Sequence, residues 1–147
     1  MAVVSLESVA DVRNALTTHG YLADDGLATA VFLALSLKRP LLLEGEAGVG
    51  KTELAKVIAT ITGAELIRLQ CYEGIDAAQA VYDWDYSRQL LHLRAAEATG
   101  ESRTKDTTAL ESELYNERFL IKRALLRALD ARATPPMLLI DEIDRAD

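Results

Sequence analysis

Apolar positions recur at helical spacing through the first forty residues. Val9, Val12 and Leu16 predict an amphipathic helix over 8–18, closed by Gly20. Leu27, Val31 and Leu35 form a second stripe and predict a helix over about 25–38, with Asp24 or Asp25 as its cap and Pro40 as its stop. The period then changes. Leu41-Leu42-Leu43-Glu44 is a short unbroken apolar run, the pattern of a buried parallel strand. A glycine-rich stretch follows, then a helix over about 51–62 carrying Leu54, Val57, Ile58 and Ile61. Residues 65–70 predict the next strand. Strand, loop, helix and strand in that order imply a parallel sheet with a helical crossover.

The middle of the chain is less periodic. Residues 74–98 have helical composition, yet Tyr72, Tyr82, Trp84 and Tyr86 crowd around it. Residues 99–108 are polar throughout and read as an exposed loop. A helix over about 121–132 carries Leu125, Leu126 and Leu129 on one face, and Thr134-Pro135-Pro136 breaks it. Met137-Leu138-Leu139-Ile140 is a second buried strand, ending in Asp141-Glu142. The chain divides on this reading into leading helices (1–40), a P-loop βαβ unit (41–70), an insertion region (71–121) and a helix with its strand (122–147).

Composition narrows the class. Half of the 147 residues are hydrophobic, so the chain has a core to build, and with aromatics at 5% aliphatic side chains must fill it. A net charge of −7 opposes wrapping a polyanion, so nucleic acid is not an expected partner. No apolar run approaches the ~20 residues that span a bilayer, and no signal peptide is read at the N-terminus. The single cysteine, Cys71, rules out an internal disulfide and fits a reducing cytosol. It reads as a small buried residue, and His19 and His92 as isolated structural or surface residues.

The glycine-rich stretch carries the chemistry. Gly45-Glu46-Ala47-Gly48-Val49-Gly50-Lys51-Thr52 fits the pattern G-x-x-x-x-G-K-[ST] without a gap. Glycines allow backbone angles that let several N–H groups converge on one phosphate. The following helix adds its partial positive end. Lys51 is expected to reach the β- and γ-phosphates of ATP as a point charge, and Thr52 to offer its hydroxyl to Mg²⁺. At the end of the later strand, Asp141 is expected to hold Mg²⁺, and Glu142 to orient the attacking water as a base. Adjacent strand residues point to opposite faces, so the pair can divide these two roles. Asp144 and Asp147 read as loop charges, and Arg145 as a surface arginine.

With both motifs in place, the chain resembles an AAA+ ATPase. Within that class it is similar to the MoxR group and its CoxD-like proteins, linked to maturation of carbon monoxide dehydrogenase. The residues that carry this are Gly20-Tyr21-Leu22, Pro40 through Thr52, Tyr72 through Asp76, Tyr82 through Tyr86, Arg88 through Leu91, Glu117 through Arg123, and Leu138 through Ala146. The resemblance implies an α/β P-loop NTPase fold, a three-layer sandwich around a parallel sheet. It places Tyr21 and Leu22 near the adenine, an ordinary interhelical turn being the plain alternative. It implies a ring, a hexamer in form, together with a von Willebrand factor A domain protein and a metalloenzyme client whose maturation ATP hydrolysis drives. It also implies a cytoplasmic location, with peripheral membrane attachment left open.

Ninety residues separate Lys51 from Asp141, long for a compact AAA+ core. The resemblance assigns the surplus to an insertion, often a hairpin facing the ring pore. The tyrosines and Trp84 there read either as core or as client contacts. The sensor strand, arginine finger, fifth strand and helical lid of an AAA+ core find no counterpart up to Asp147. Residues 1–147 alone are therefore expected to be poorly stable and inactive. Two other functions stay open: a scaffold module that holds nucleotide without hydrolysing it, and a small P-loop kinase, against which the Asp-Glu pair argues.

Overall fold

The structure is a computed structural model that describes residues 6–99, 107–130 and 133–146. Two compact units emerge, one from Met1–Arg68 with Ala131–Asp141, the other from Leu69–Asp130 with Glu142–Asp147. Among the described residues no helix is long and apolar enough to cross a membrane.

The first unit is built on three helices. In α1 (Val9–Thr18), Ser8 caps the start by accepting from the Asp11 N–H. The chain leaves it through Gly20 at φ +79, and the Tyr21 N–H bonds back to the Leu16 carbonyl at 2.9 Å. Asp24, not Asp25, caps α2 (Asp25–Leu37), accepting from the Leu27 N–H at 2.7 Å. Asp25 instead takes an ion pair from Arg13 on α1 at 2.6 Å. The helix stops before Pro40: Lys38 adopts the left-handed conformation at φ 52 and caps it. The third helix, α3 (Lys51–Thr62), ends on Gly63 at φ 67.

These helices share one core. Val12, Ala15 and Leu16 from α1, Val31 from α2, and Leu54, Val57, Ile58 and Ile61 from α3 form a buried cluster. Ala28 on α2 is fully buried. Leu41, Leu43 and Met137 pack on the margin of the cluster.

The sheet differs from expectation. It pairs β1 (Leu66–Gln70) with β4 (Met137–Asp141). The Met137 N–H donates to the Glu65 carbonyl at 2.8 Å, so the two strands start side by side and run parallel. The segment 41–44, expected as the first strand, joins no ladder among the described residues. It keeps a strand's alternation, with Leu41 and Leu43 half-buried and Leu42 68% exposed. Its apolar side chains are placed, but among the described residues no strand pairs with its backbone groups.

The second unit breaks the helix expected across 74–98 into α4 (Ala77–Val81), β2 (Tyr82–Trp84) and α5 (Tyr86–Thr99). A reciprocal capping box starts α4: Asp76 accepts from the Gln79 N–H, and the Gln79 side chain accepts from the Asp76 N–H. Most of the expected 99–108 loop lies outside the described residues, but α6 (Thr107–Leu114) already begins at its end. The helix expected over 121–132 is shorter. Its first residues belong to β3 (Leu120–Lys122), and α7 (Ala124–Leu129) follows. β2 and β3 pair antiparallel, Tyr82 opposite Lys122 and Trp84 opposite Leu120. Ladder bonds to β2 outweigh the helical propensity of this stretch. Trp84 meets Tyr82 and Tyr115 edge-on, at 6.0 and 5.2 Å between ring centres. Tyr72, Tyr82 and Tyr86 remain exposed. Cys71 is buried with Ile75 and Ala80. His92 is not isolated: its Nε2 lies 3.3 Å from Glu113 and 3.0 Å from Arg118.

Two measurements test this packing. Leu16 is 0% exposed, and Leu16→Ala is expected to lower unfolding free energy by about 2–5 kcal/mol in denaturant titration. In the second unit, hydrogen bonds from the Arg123 guanidinium and then the Trp84 N–H hold the Asp83 carboxyl below its ordinary 3.8. A lowered folded value means stabilisation present above the unfolded value and lost as pH falls through the folded one. Asp83→Asn is therefore expected to destabilise at neutral pH and to converge with the parent chain as pH falls through the lowered folded value, read from thermal midpoints across pH.

Candidate nucleotide site

The glycine-rich loop runs directly into α3. Gly48 and Gly50 sit at φ +82 and +93, in the left-handed region that favours glycine. A side chain on Gly48 would meet nothing within 4 Å, so the requirement there is backbone angle and not space. Gly50 is the residue before α3 and provides no side-chain cap. The first N–H groups of a twelve-residue helix are thus left for another acceptor, and an anion at that end gains from the helix dipole.

Lys51 bends back over the loop. Its Nζ donates to the Gly45 carbonyl at 2.7 Å and the Glu46 carbonyl at 2.6 Å. The charge is thereby held within the loop by the loop's own backbone. Glu46, Ala47 and Val49 are exposed. The Tyr21 ring lies against Gly50, 3.6 Å from where a side chain there would begin. Tyr21 therefore lies against the end of the glycine-rich loop, while Leu22 beside it is 87% exposed.

Thr52 and Asp141 come together from 89 residues apart. The Thr52 hydroxyl donates to Asp141 Oδ2 at 3.3 Å. The donor end of the hydroxyl is used, and its oxygen keeps lone pairs for a cation. A threonine hydroxyl and one carboxylate are hard oxygen ligands of the kind Mg²⁺ takes when phosphates and waters complete its octahedron. Among the described residues no three His, Cys, Asp or Glu side chains converge on a metal position. The uncapped α3 terminus, the Lys51 amine and the Thr52–Asp141 pair fit a magnesium-bound polyphosphate.

One partner of this site was not anticipated. Arg68 on β1 donates to the same Asp141 oxygen twice, from Nε at 3.1 Å and Nη2 at 2.6 Å. The sequence did hold a signal: Arg68 is a charge between the apolar Ile67 and Leu69, inside a strand. Glu142 lies in the second unit. It adopts φ +54, rare for a non-glycine residue, and pairs with Arg145 at 3.2 Å.

With the geometry established, comparison with known proteins decides the family. The model of the AAA domain (dynein-related subfamily) matches residues 40–147, most of the chain. The chain belongs to this AAA family. AAA domains share the α/β P-loop NTPase fold, bind nucleotide, are typically ATPases, and often assemble into rings. The chain is also similar to Midasin from Giardia intestinalis, 45% identical over 49 residues, or 33% of this chain. It spans about 1% of the length of that relative. No solved structure matches the chain.

The left-handed angle at Gly50 can be tested directly. Gly50→Ala brings its new methyl only to ordinary contact with Tyr21. The expected loss of about 1–2 kcal/mol therefore comes from backbone strain and is read by chemical denaturation. Nucleotide affinity is expected to fall with it.

Proposed function

We propose that this AAA domain binds Mg²⁺-ATP at Gly45–Thr52 and that the whole protein hydrolyses it to remodel a client. The observation that carries the reading is the Thr52–Asp141 contact in the first turn of an uncapped helix whose Lys51 amine is folded back over the glycine-rich loop. Bound Mg²⁺ would neutralise charge on the β- and γ-phosphates. The loop residues Gly45, Glu46, Ala47, Gly48, Val49 and Gly50 wrap the phosphate through their backbone. Lys51 turns its amine from the loop carbonyls to the β- and γ-phosphates. Thr52, through its hydroxyl oxygen, and Asp141, through its carboxylate, would hold the metal. Glu142 serves as the base that orients the attacking water, and Tyr21 and Leu22 border the nucleotide.

The finer reading rests on resemblance to the MoxR group and its CoxD-like members. It assigns a hexameric ring, a von Willebrand factor A domain partner, and a metalloenzyme client in the cytoplasm or at a membrane surface. Residues 71–121 form the insertion that faces the client, with Tyr72, Tyr82 and Tyr86 as its exposed aromatics. The charge of −7 supports a protein client over nucleic acid.

A second reading, a scaffold that holds nucleotide without turnover, is favoured by one observation. Both acidic residues of the hydrolytic pair are engaged by arginines, Asp141 by Arg68 and Glu142 by Arg145.

Calorimetric titration with ATP and Mg²⁺ separates these readings from none at all. Lys51→Ala is expected to weaken binding about tenfold or more, as loss of a charged hydrogen-bond donor does. Glu142→Gln is expected to keep binding while the whole protein's turnover drops about 10²-fold or more. Absence of ATP binding by the unaltered chain would overturn both readings, and binding with equal turnover before and after Glu142→Gln would remove Glu142 from the reaction.

A further inference from the structure

Resting on the proposed Mg²⁺-ATP site, we infer that Arg68 is an exchangeable counter-ion of the metal-holding carboxylate. It occupies Asp141 in the nucleotide-free state and must leave it when Mg²⁺ arrives. The geometry is specific. Asp141 Oδ2 accepts from three donors, Arg68 Nε at 3.1 Å, Arg68 Nη2 at 2.6 Å and Thr52 Oγ1 at 3.3 Å. These three behave differently toward a cation. The Thr52 hydroxyl can keep its bond to Asp141 while its oxygen faces the metal. The guanidinium cannot, because it is a permanent positive charge with no acceptor atom. A divalent ion and Arg68 therefore compete for one oxygen.

Exposure fits a partner that can leave. The Asp141 side chain is 19% exposed and Arg68 is 53% exposed. The carboxylate is fixed at the strand end, and the arginine reaches it across the ladder from β1. A long, half-exposed side chain can swing to solvent without opening the core. Arg68 also covers a need of the empty site. A carboxylate this shielded, left with the neutral Thr52 hydroxyl and no cation, would disfavour the metal-free fold. Arg68 thus acts on metal binding through Asp141 and is a positioning residue, not a catalytic one.

The test compares nucleotide affinity with and without metal in the full chain. Arg68→Gln is expected to tighten ATP binding in Mg²⁺ about fivefold to tenfold and to leave binding in EDTA unchanged. Its thermal midpoint without ligand is expected to fall, and the midpoint with Mg²⁺-ATP to be preserved. With Asp141→Asn in the background, the Arg68→Gln effect on metal-dependent affinity is expected to vanish. Arg68→Lys, a point charge without the planar fork, is the backup if the glutamine variant does not fold, and is expected to shift affinity in the same direction by a smaller factor. Equal affinity of variant and parent in Mg²⁺ overturns the inference. So does weaker binding in both Mg²⁺ and EDTA, which would make Arg68 a direct nucleotide contact. If the parent chain itself binds no ATP, the underlying site reading fails instead, and the two failures are distinct.

Discussion

One carboxylate oxygen joins a helix and two strands of the first unit. Asp141 Oδ2 takes a hydrogen bond from Thr52 in the first turn of α3 and two from Arg68 on β1. Helix, neighbouring strand and Asp141 strand are thereby fixed at one point. That point is also where a phosphate-bound cation would sit. Apolar packing brings α3 close to β4, but it does not choose the register between them. Leu54, Val57, Ile58 and Ile61 would tolerate small slides along the helix axis. A hydrogen bond to one named oxygen tolerates them far less.

The local elements of the first unit were readable because their causes are local. Val9, Val12 and Leu16 carry their own period, and Gly20 and Asp24 provide the turn and the cap. The shape of the glycine-rich loop was readable for a related reason, since its glycines encode backbone angles directly. What escaped reading depends on partners distant in sequence. Residues 120–122 look helical until Tyr82–Trp84 are placed opposite them. Leu41–Leu43 look like a ladder strand, but apolar character fixes only which side chains are buried. Arg68 could be noticed as a charge within a strand, but its target lies 73 residues away.

The second unit holds together by different means. Its buried apolar cluster of Cys71, Ile75 and Ala80 is small. Edge-on aromatic contacts around Trp84, the Asp83–Arg123 pair and Lys122 between Glu117 and Asp130 supplement it. Exposed ion pairs each contribute little and weaken with salt. Phe119, buried beneath the Arg118 guanidinium at 4.7 Å from ring centre to carbon, adds a contact that salt screens less. A unit of this kind should respond to ionic strength more than one built on three packed helices.

The backbone at Glu142 has a consequence for design. At φ +54 a side chain with a Cβ is held where glycine or asparagine would rest more easily. Stability and the proposed chemistry pull in opposite directions at this one residue. Replacement by glycine would relax the chain and discard the carboxylate together with its bond to Arg145. Any effort to harden this protein by relieving strained residues would reach position 142 early, and would gain thermal tolerance by removing the group assigned to activate water.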